Sequence, residues 1–423
     1  MPHFFRKIST FIARMPQPAR VACVLFFVAS VADGALMPFF ALWALKVAGV
    51  EVQWIGALLG CYAGGELLAT PIIGGIADRI GRRPVLLISS AGVGLGFILL
   101  TFAHGAYEAA ACLIIIGVFE STLHPTATTV VADVAEPGRL TEQLAMLRLA
   151  SNAGNMVGPA LGTLFALISL RFVFVGSGFA LLIGTLCVAL FLQETRPARK
   201  ANGEGGEQDE EDFTALAAVF RDRRLAALLI PVAIIGITSS WIESVTPLYA
   251  NAYGLLSESG IGLLFTYAGA LGVLLQLPLT RAAGRHSTFA VIMLSGIVQT
   301  IAFLVLLPSP SIALLVLAIS AFAVARMLFG PLSNAIALEM APSHARATYQ
   351  AAFGVTNDLR DTAGPAFGTF IFSFGTRLPW FIAAPVSLIA AAVLALHLRR
   401  HGAGRGYRQA ADRQRPENAD KLL

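Results

Sequence analysis

Twelve mainly apolar stretches, each close to twenty residues or longer, recur along this chain, and the segments between them hold most of its charge. They run over about 21–45, 53–76, 84–103, 109–131, 145–169, 172–193, 225–250, 260–280, 288–307, 311–337, 346–374 and 379–398. An α-helix needs about 20 such residues to cross a bilayer core of about 30 Å. In lipid every backbone N–H and C=O must be satisfied within the protein, so helices and closed barrels are the only spanning forms. Period-two alternation is absent and the stretches are too long for strands, so an all-α membrane protein with twelve transmembrane helices is expected. Composition agrees, with 56% apolar and 13% charged residues against about 25% charged in a soluble domain. Disorder, a disulfide scaffold and nucleic-acid binding are excluded on the same ground.

The basic residues orient the spans, because cytoplasmic loops hold most Lys and Arg near span ends. With the N-terminus inside, 24 of the 30 Lys and Arg fall in cytoplasmic segments. Lys46, Arg171 and Arg377 fall outside, and Arg148, Arg326 and Arg360 lie within spans. Both termini are therefore expected in the cytoplasm. The first apolar run is too long for a cleaved signal peptide and no small-residue cleavage site follows it. The net charge of +5 then sets topology and attraction to anionic lipid, and it does not point to an anionic substrate.

The chain also repeats itself. A shift of 206 residues aligns Pro125 with Pro331, Asp133 with Glu339, and Gly158-Pro159-Ala160-Leu161-Gly162-Thr163 with Gly364-Pro365-Ala366-Phe367-Gly368-Thr369. Such self-similarity marks duplication. It divides the chain into a six-helix bundle over 1–195, a cytoplasmic linker over 196–224, a second six-helix bundle over 225–400 and a tail over 401–423. Two parallel repeats are a common plan for secondary transporters, with the site near the midplane between halves.

Between spans two and three, Gly74-Gly75-Ile76-Ala77-Asp78-Arg79-Ile80-Gly81-Arg82-Arg83 fits G-x-x-x-D-R-x-G-R-R. This resembles the signature loop of the major facilitator superfamily, and with the twelve spans and the duplication the resemblance covers nearly the whole chain. It implies alternating access, with Gly74, Asp78, Arg79, Gly81, Arg82 and Arg83 acting as a conformational latch. Asp133 and Glu339, matched across the repeat, are expected to serve the same latch. A second pattern, Gly154, Gly158, Pro159 and Gly162 in span five, resembles the signature of the drug/proton antiporters. It ends in Thr163 where the family has a second glycine, and it recurs as Gly364, Pro365 and Gly368 in span eleven. Small residues with proline equally serve close helix packing, so both roles stay open. The arginine motif of span four is missing, since no Arg occurs between residues 84 and 138.

No phosphate-binding loop ending in Gly-Lys-Ser/Thr is present, so an ion or substrate gradient is the expected energy source, with no cofactor. Ionisable residues inside the spans are the candidates to use it, since a charge at the bilayer centre costs about 2.5–3.5 kcal/mol on insertion scales. Asp33 lies in span one. Glu120 and His124 lie one turn apart in span four and share a face. Glu243 in span seven, beside Trp241, is the loose counterpart of Asp33. Arg326, Arg148, Asp358, Arg360 and Asp361 complete the polar set, and Glu66 is a further acid of this kind. Glu120 aligns with Arg326 at the 206 shift, which suggests a salt bridge between the halves. Two ligands on one helix do not make a metal site, and none is expected. Trp43, Trp54 and Trp380 near outer span ends read as interfacial anchors, and Trp241 as a cavity residue.

The expected function is proton-coupled export of small amphipathic or drug-like molecules by a monomer in a bacterial cytoplasmic membrane. Small molecule, protons and lipid are its partners, and no catalysis is expected. The alternative is proton symport of an organic anion or other metabolite, with arginines as contacts. A receptor or structural subunit ranks third, because it needs no two-fold repeat with buried charges.

Overall fold

The computed structural model describes residues 15–135, 139–195, 223–340 and 346–401. Within them the chain is helical and has no strand. In chain order the helices are α1 (Gln17–Lys46), α2 (Val52–Ile80), α3 (Arg82–Leu100), α4 (Gly105–Asp133), α5 (Leu140–Ala166) and α6 (Leu170–Phe191). The second set is α7 (Arg223–Ala252), α8 (Glu258–Ala283), α9 (Thr288–Leu304), α10 (Ile312–Met340), α11 (Arg346–Phe374) and α12 (Leu378–His401). Each covers one of the apolar stretches. Eight of them, α1, α3, α4, α6, α7, α8, α10 and α12, have the length and apolar composition to cross a membrane. α9 is apolar but has only 17 residues. α5 and α11 carry the polar residues of their halves, Arg148, Asn152 and Asn155 in one, Asn357, Asp358, Arg360 and Asp361 in the other.

The chain separates into two compact units, residues 1–200 with 256–266, and residues 201–255 with 267–423. Four helix seams recur in both, while the packing of α2 on α4 in the first has no α8–α10 counterpart of like extent in the second. In the first, α1 packs on α5 and α6, and α3 on α4 and α6. In the second, α7 packs on α11 and α12, and α9 on α10 and α12. The sixfold shift of element number is the structural face of the 206-residue repeat.

Close approach in both units depends on the repeated glycine-proline pattern. A Cβ on Gly158 would come within 2.5 Å of the Val31 carbonyl oxygen and 2.8 Å of the Ala35 nitrogen, both in the backbone of α1. A Cβ on Gly162 would meet the Phe39 ring at 2.7 Å, and one on Gly154 the Ser30 side chain at 2.7 Å. The Ser30 and Ser151 hydroxyls, 2.8 Å apart, share a hydrogen bond across the same seam. In the second unit Gly368 gives way to Trp241, whose ring would lie 2.8 Å from an added Cβ, and Gly364 lies over Ser240. Pro159 and Pro365 stand inside these helices, and the Thr163 and Thr369 hydroxyls donate back to their carbonyls at 2.7 and 3.0 Å. Without an apolar driving force between helices in lipid, such close backbone contact is what holds them together. Gly92, Gly94 and Gly96 do the same for α3, against Phe119, Gly178 and Ile116.

Two of the expected interfacial anchors are core residues. Trp43 is fully buried, its ring centroid 5.1 Å from that of Phe174 and 5.9 Å from Phe40. Trp380 is fully buried between Tyr249 and Phe303. Position along a helix fixes depth in the bilayer, but the phase around the helix decides which way a ring faces, and both rings lie on the inward phase. Trp54 is exposed.

Gly158→Leu is expected to lower thermal stability, because it forces a side chain against backbone atoms that cannot rotate away; overpacking of this kind costs about 1–3 kcal/mol. Gly64→Ala, where nothing lies within 4 Å of an added Cβ, is expected to leave the melting temperature of detergent-purified protein unchanged. Size-exclusion thermostability measures both.

Candidate functional site

In the first unit the polar centre is built by α1, α2 and α4. Glu120 and His124 face the same way one turn apart on α4, with Nε2 of His124 3.4 Å from Oε1 of Glu120. α1 crosses that face, and Asp33 joins them so that one ligand-type atom from each of the three side chains lies within 4.8 Å of the others. The Phe26 ring, one helix face earlier on α1, meets the His124 ring edge-on at a centroid distance of 4.7 Å. Tyr62 and Glu66 on α2 lie within electrostatic reach of the same groups. α2 approaches α4 closely here because Gly65 and Gly117 sit at the seam, where a Cβ on Gly65 would come within 2.5 Å of the Ile114 carbonyl oxygen. The Glu120 side chain is only 3% exposed, and its Oε2 accepts no hydrogen bond. Three acids therefore share this centre with one imidazole. Among the described residues no Lys or Arg acts on Asp33 or His124.

The second unit resolves its charges differently. Glu243 on α7 receives Arg326 from α10 at one carboxylate oxygen and Arg360 from α11 at the other, the latter at 2.8 Å. Arg360 also lies 3.4 Å from Asp361. Acids and guanidiniums are thus matched. The Arg360 side chain is 24% exposed and that of Arg326 58%, so Arg360 is the more enclosed partner. Gly236 on α7 makes room for the Arg360 stem, which an added Cβ would approach to 3.3 Å.

Each of the two charges expected to bridge the halves has a partner inside its own unit: His124 lies against Glu120, and Glu243 against Arg326. At the α1/α4 position an acid meets an acid and a histidine; at the equivalent α7/α10 position an acid meets an arginine. Trp241 is also not a cavity residue, being buried against Gly368 in the α7–α11 seam. Asp358 and Asp361 stand exposed on α11, and Arg148 is exposed on α5 and joins neither centre.

Part of the expected latch is assembled at the start of α3. Arg82 is buried and its Nε lies 3.2 Å from Asp133 at the end of α4. Gly81 adopts φ 115°, a conformation that favours glycine. Glu194, past the end of α6, was not singled out in the sequence, yet its carboxylate accepts from the Arg82 and Arg83 backbone N–H groups at 2.9 and 3.2 Å. An acid there caps the helix and complements its dipole. Arg83 donates to the Ala189 carbonyl at 2.7 Å. An added Cβ at Gly81 would come within 2.5 Å of the Glu194 carboxylate, so a side chain there would also displace the cap. The sequence signal for Glu194 is weak, a single acid between an apolar run and a polar linker. The backbone of α2 runs through Gly74, Asp78 and Arg79, but their side chains lie outside the described residues. Glu339 is exposed at the end of α10.

Comparison with known proteins agrees with this architecture. The family model described as Major Facilitator Superfamily matches residues 22–360 and again 256–418. The class D tetracycline resistance protein of Salmonella ordonez is 26% identical over 296 residues, covering 69% of this chain and 74% of its own. The class E tetracycline resistance protein of Escherichia coli is 30% identical over 195 residues, so the match spans about half of each chain, 45% and 47%. An uncharacterized MFS-type transporter of Bacillus subtilis, YhjO, is 23% identical over 84% of this chain and 87% of its own. Among solved structures, the nucleoside transporter NupG superposes with a TM-score of 0.73 over 90% of this chain and 99% of its own at 14% identity. A POT family transporter does so with a TM-score of 0.71 over 92% and 99% at 13% identity. At those identities the likeness is one of fold.

Removing one partner of an enclosed ion pair costs about 3–5 kcal/mol when the other is left buried and charged. Glu243→Gln and Arg360→Gln are therefore expected to lower the melting temperature more than Arg326→Gln, whose guanidinium is over half exposed. The double variant Glu243→Gln/Arg360→Gln is expected to lose less than the two single losses added together, because the groups share one network.

Proposed function

The chain belongs to the major facilitator superfamily, and from that premise we propose that it exports small amphipathic molecules in exchange for protons by alternating access. In this reading Asp33 and Glu120 carry the proton. The supporting observation is the imbalance in the first unit, where Asp33 and Glu120 meet a single histidine and, among the described residues, no guanidinium. Like charges at this separation in a poorly solvated site oppose one another, and a charge in the membrane interior has to be matched or neutralised. A proton is the smallest neutraliser. His124, against Oε1 of Glu120, stabilises that carboxylate while Asp33 loads or releases its proton, and Tyr62 borders both acids.

The balanced trio of Glu243, Arg326 and Arg360 has no such need and serves as a fixed polar tie among α7, α10 and α11. That occupation weighs against symport of an organic anion, because both arginines are already engaged by Glu243. Export fits relatives bearing the names tetracycline resistance protein and multidrug resistance protein. The Arg82–Asp133 pair and the Glu194 cap support the latch that the loop motif implies. The basic loops agree with cytoplasmic termini in a bacterial cytoplasmic membrane.

Everted membrane vesicles loaded with a panel of fluorescent cationic amphiphiles and with tetracycline test this. Substrate addition to energised vesicles is expected to release luminal protons. Asp33→Asn and Glu120→Gln, inserted at normal levels, are expected to reduce proton-driven transport at least tenfold while substrate exchange without a gradient persists. Proton movement in the same direction as substrate, or unchanged transport in Asp33→Asn, overturns the proposal.

A further inference from the structure

The fold turns two potential metal ligands into three. Glu120 and His124 alone are one turn of one helix, and the packing of α1 across that face adds the Asp33 carboxylate. The geometry is close to that of a coordination shell. Donors bonded to Zn²⁺ at about 2.0–2.1 Å in tetrahedral arrangement stand about 3.3 Å apart, and Nε2 of His124 lies 3.4 Å from Oε1 of Glu120. The widest separation in the set is 4.8 Å. Opposite donors around a six-coordinate ion with bonds of about 2.1 Å stand about 4.2 Å apart, so the three side chains close by little to hold an ion.

A second observation points to a cation. Oε2 of Glu120 is buried, in a side chain only 3% exposed, and accepts no hydrogen bond. A carboxylate oxygen withdrawn from water without a donor is costly, and nearly every buried polar atom in a folded protein has a partner. Around Glu120 stand the carboxylates of Asp33 and Glu66, the Tyr62 phenol on the Glu120 carboxylate itself, and the His124 ring, which faces the other oxygen, Oε1. A positive ion chelated by both oxygens of Glu120 satisfies Oε2 and also lies within reach of Nε2 of His124 beside Oε1.

We propose that Asp33, Glu120 and His124 form a binding site for a divalent first-row transition metal ion. One imidazole with two carboxylates suits Zn²⁺, Mn²⁺ or Co²⁺. The imidazole argues against Mg²⁺ and Ca²⁺, which take oxygen donors, and the absence of sulfur from the set argues against Cu⁺. The nearest alternative is an imidazolium–carboxylate pair that holds the same 3.4 Å contact with no metal. The inference goes beyond the export reading and does not rest on it, because occupancy can be measured without substrate or gradient.

The test uses the full chain, free of any affinity tag, stripped of metal and reconstituted in lipid nanodiscs. Equilibrium dialysis against Zn²⁺, Mn²⁺ and Co²⁺ is expected to give one saturable ion per chain. The Kd is expected to rise at least tenfold in Asp33→Asn, Glu120→Gln and His124→Gln, and to stay within twofold in Asp358→Asn. Electron spin echo modulation of Mn²⁺ bound to the unaltered protein is expected to report a directly coordinated imidazole nitrogen, which keeps the test valid if a variant folds poorly. No saturable binding to monodisperse protein, bound Mn²⁺ without a nitrogen ligand, or binding that survives all three substitutions overturns the site. Unaltered protein that binds no metal but shows proton-driven transport overturns the site and leaves the export reading standing, and unaltered protein that binds metal without proton-driven transport removes export alone.

Discussion

A charge held inside an apolar helical bundle has to find its opposite locally or be neutralised, and the two halves of this chain meet that requirement in opposite ways. In the second half Glu243 is shared between Arg326 and Arg360, and Asp361 lies against Arg360. The charges cancel and the three helices are tied. In the first half Asp33, Glu66 and Glu120 gather around His124. Among the described residues no guanidinium matches Asp33 and Glu120, and in the proposed reading a proton or a cation does so. The asymmetry sits on a frame that is repeated in part: α1 with α5 and α6 recurs as α7 with α11 and α12, whereas the α2–α4 seam has no α8–α10 counterpart of like extent. Function can diverge on such a frame because a polar side chain at one equivalent position can change while the helix seams stay in place.

Those seams depend on residues that do very little chemistry. Gly154, Gly158 and Gly162 let α5 approach the backbone of α1, and Gly364 and Gly368 let α11 approach α7. The same pattern in both halves, with Thr163 and Thr369 bonded back to the prolines of their helices, speaks for a packing device. Its contribution to the site is indirect: it fixes the phase of α1, and that phase points Asp33 at Glu120 and His124.

Much of this was legible in the sequence. Twelve apolar stretches became twelve helices among the described residues, the 206-residue shift became two units with four helix seams in common, and the glycines marked the tight seams. Apolar length and small-residue spacing are local properties, and helices obey them locally. The misreadings all concern side-chain partners, which depend on helix phase and on which helices meet. The shift that aligns Glu120 with Arg326 gives no sign of the partners that each has within its own unit, His124 and Glu243. Trp43 and Trp380 lie at interfacial places along their helices but turn inward. Asp33 is about ninety residues from Glu120, and only the crossing of α1 and α4 reveals a third ligand. Glu194 gave no motif to notice, yet it caps α3 beside Gly81, whose positive φ favours glycine.

The most direct measurement is the infrared carbonyl band of protonated carboxylic acids in the lipid-reconstituted, metal-free protein as pH is varied. The account predicts a band that titrates with pH and is diminished in both Asp33→Asn and Glu120→Gln, with no change in Glu243→Gln, whose charge is already matched. A band unaffected by the first two substitutions, or one that disappears with Glu243, contradicts the assignment of the exchangeable proton to the first half.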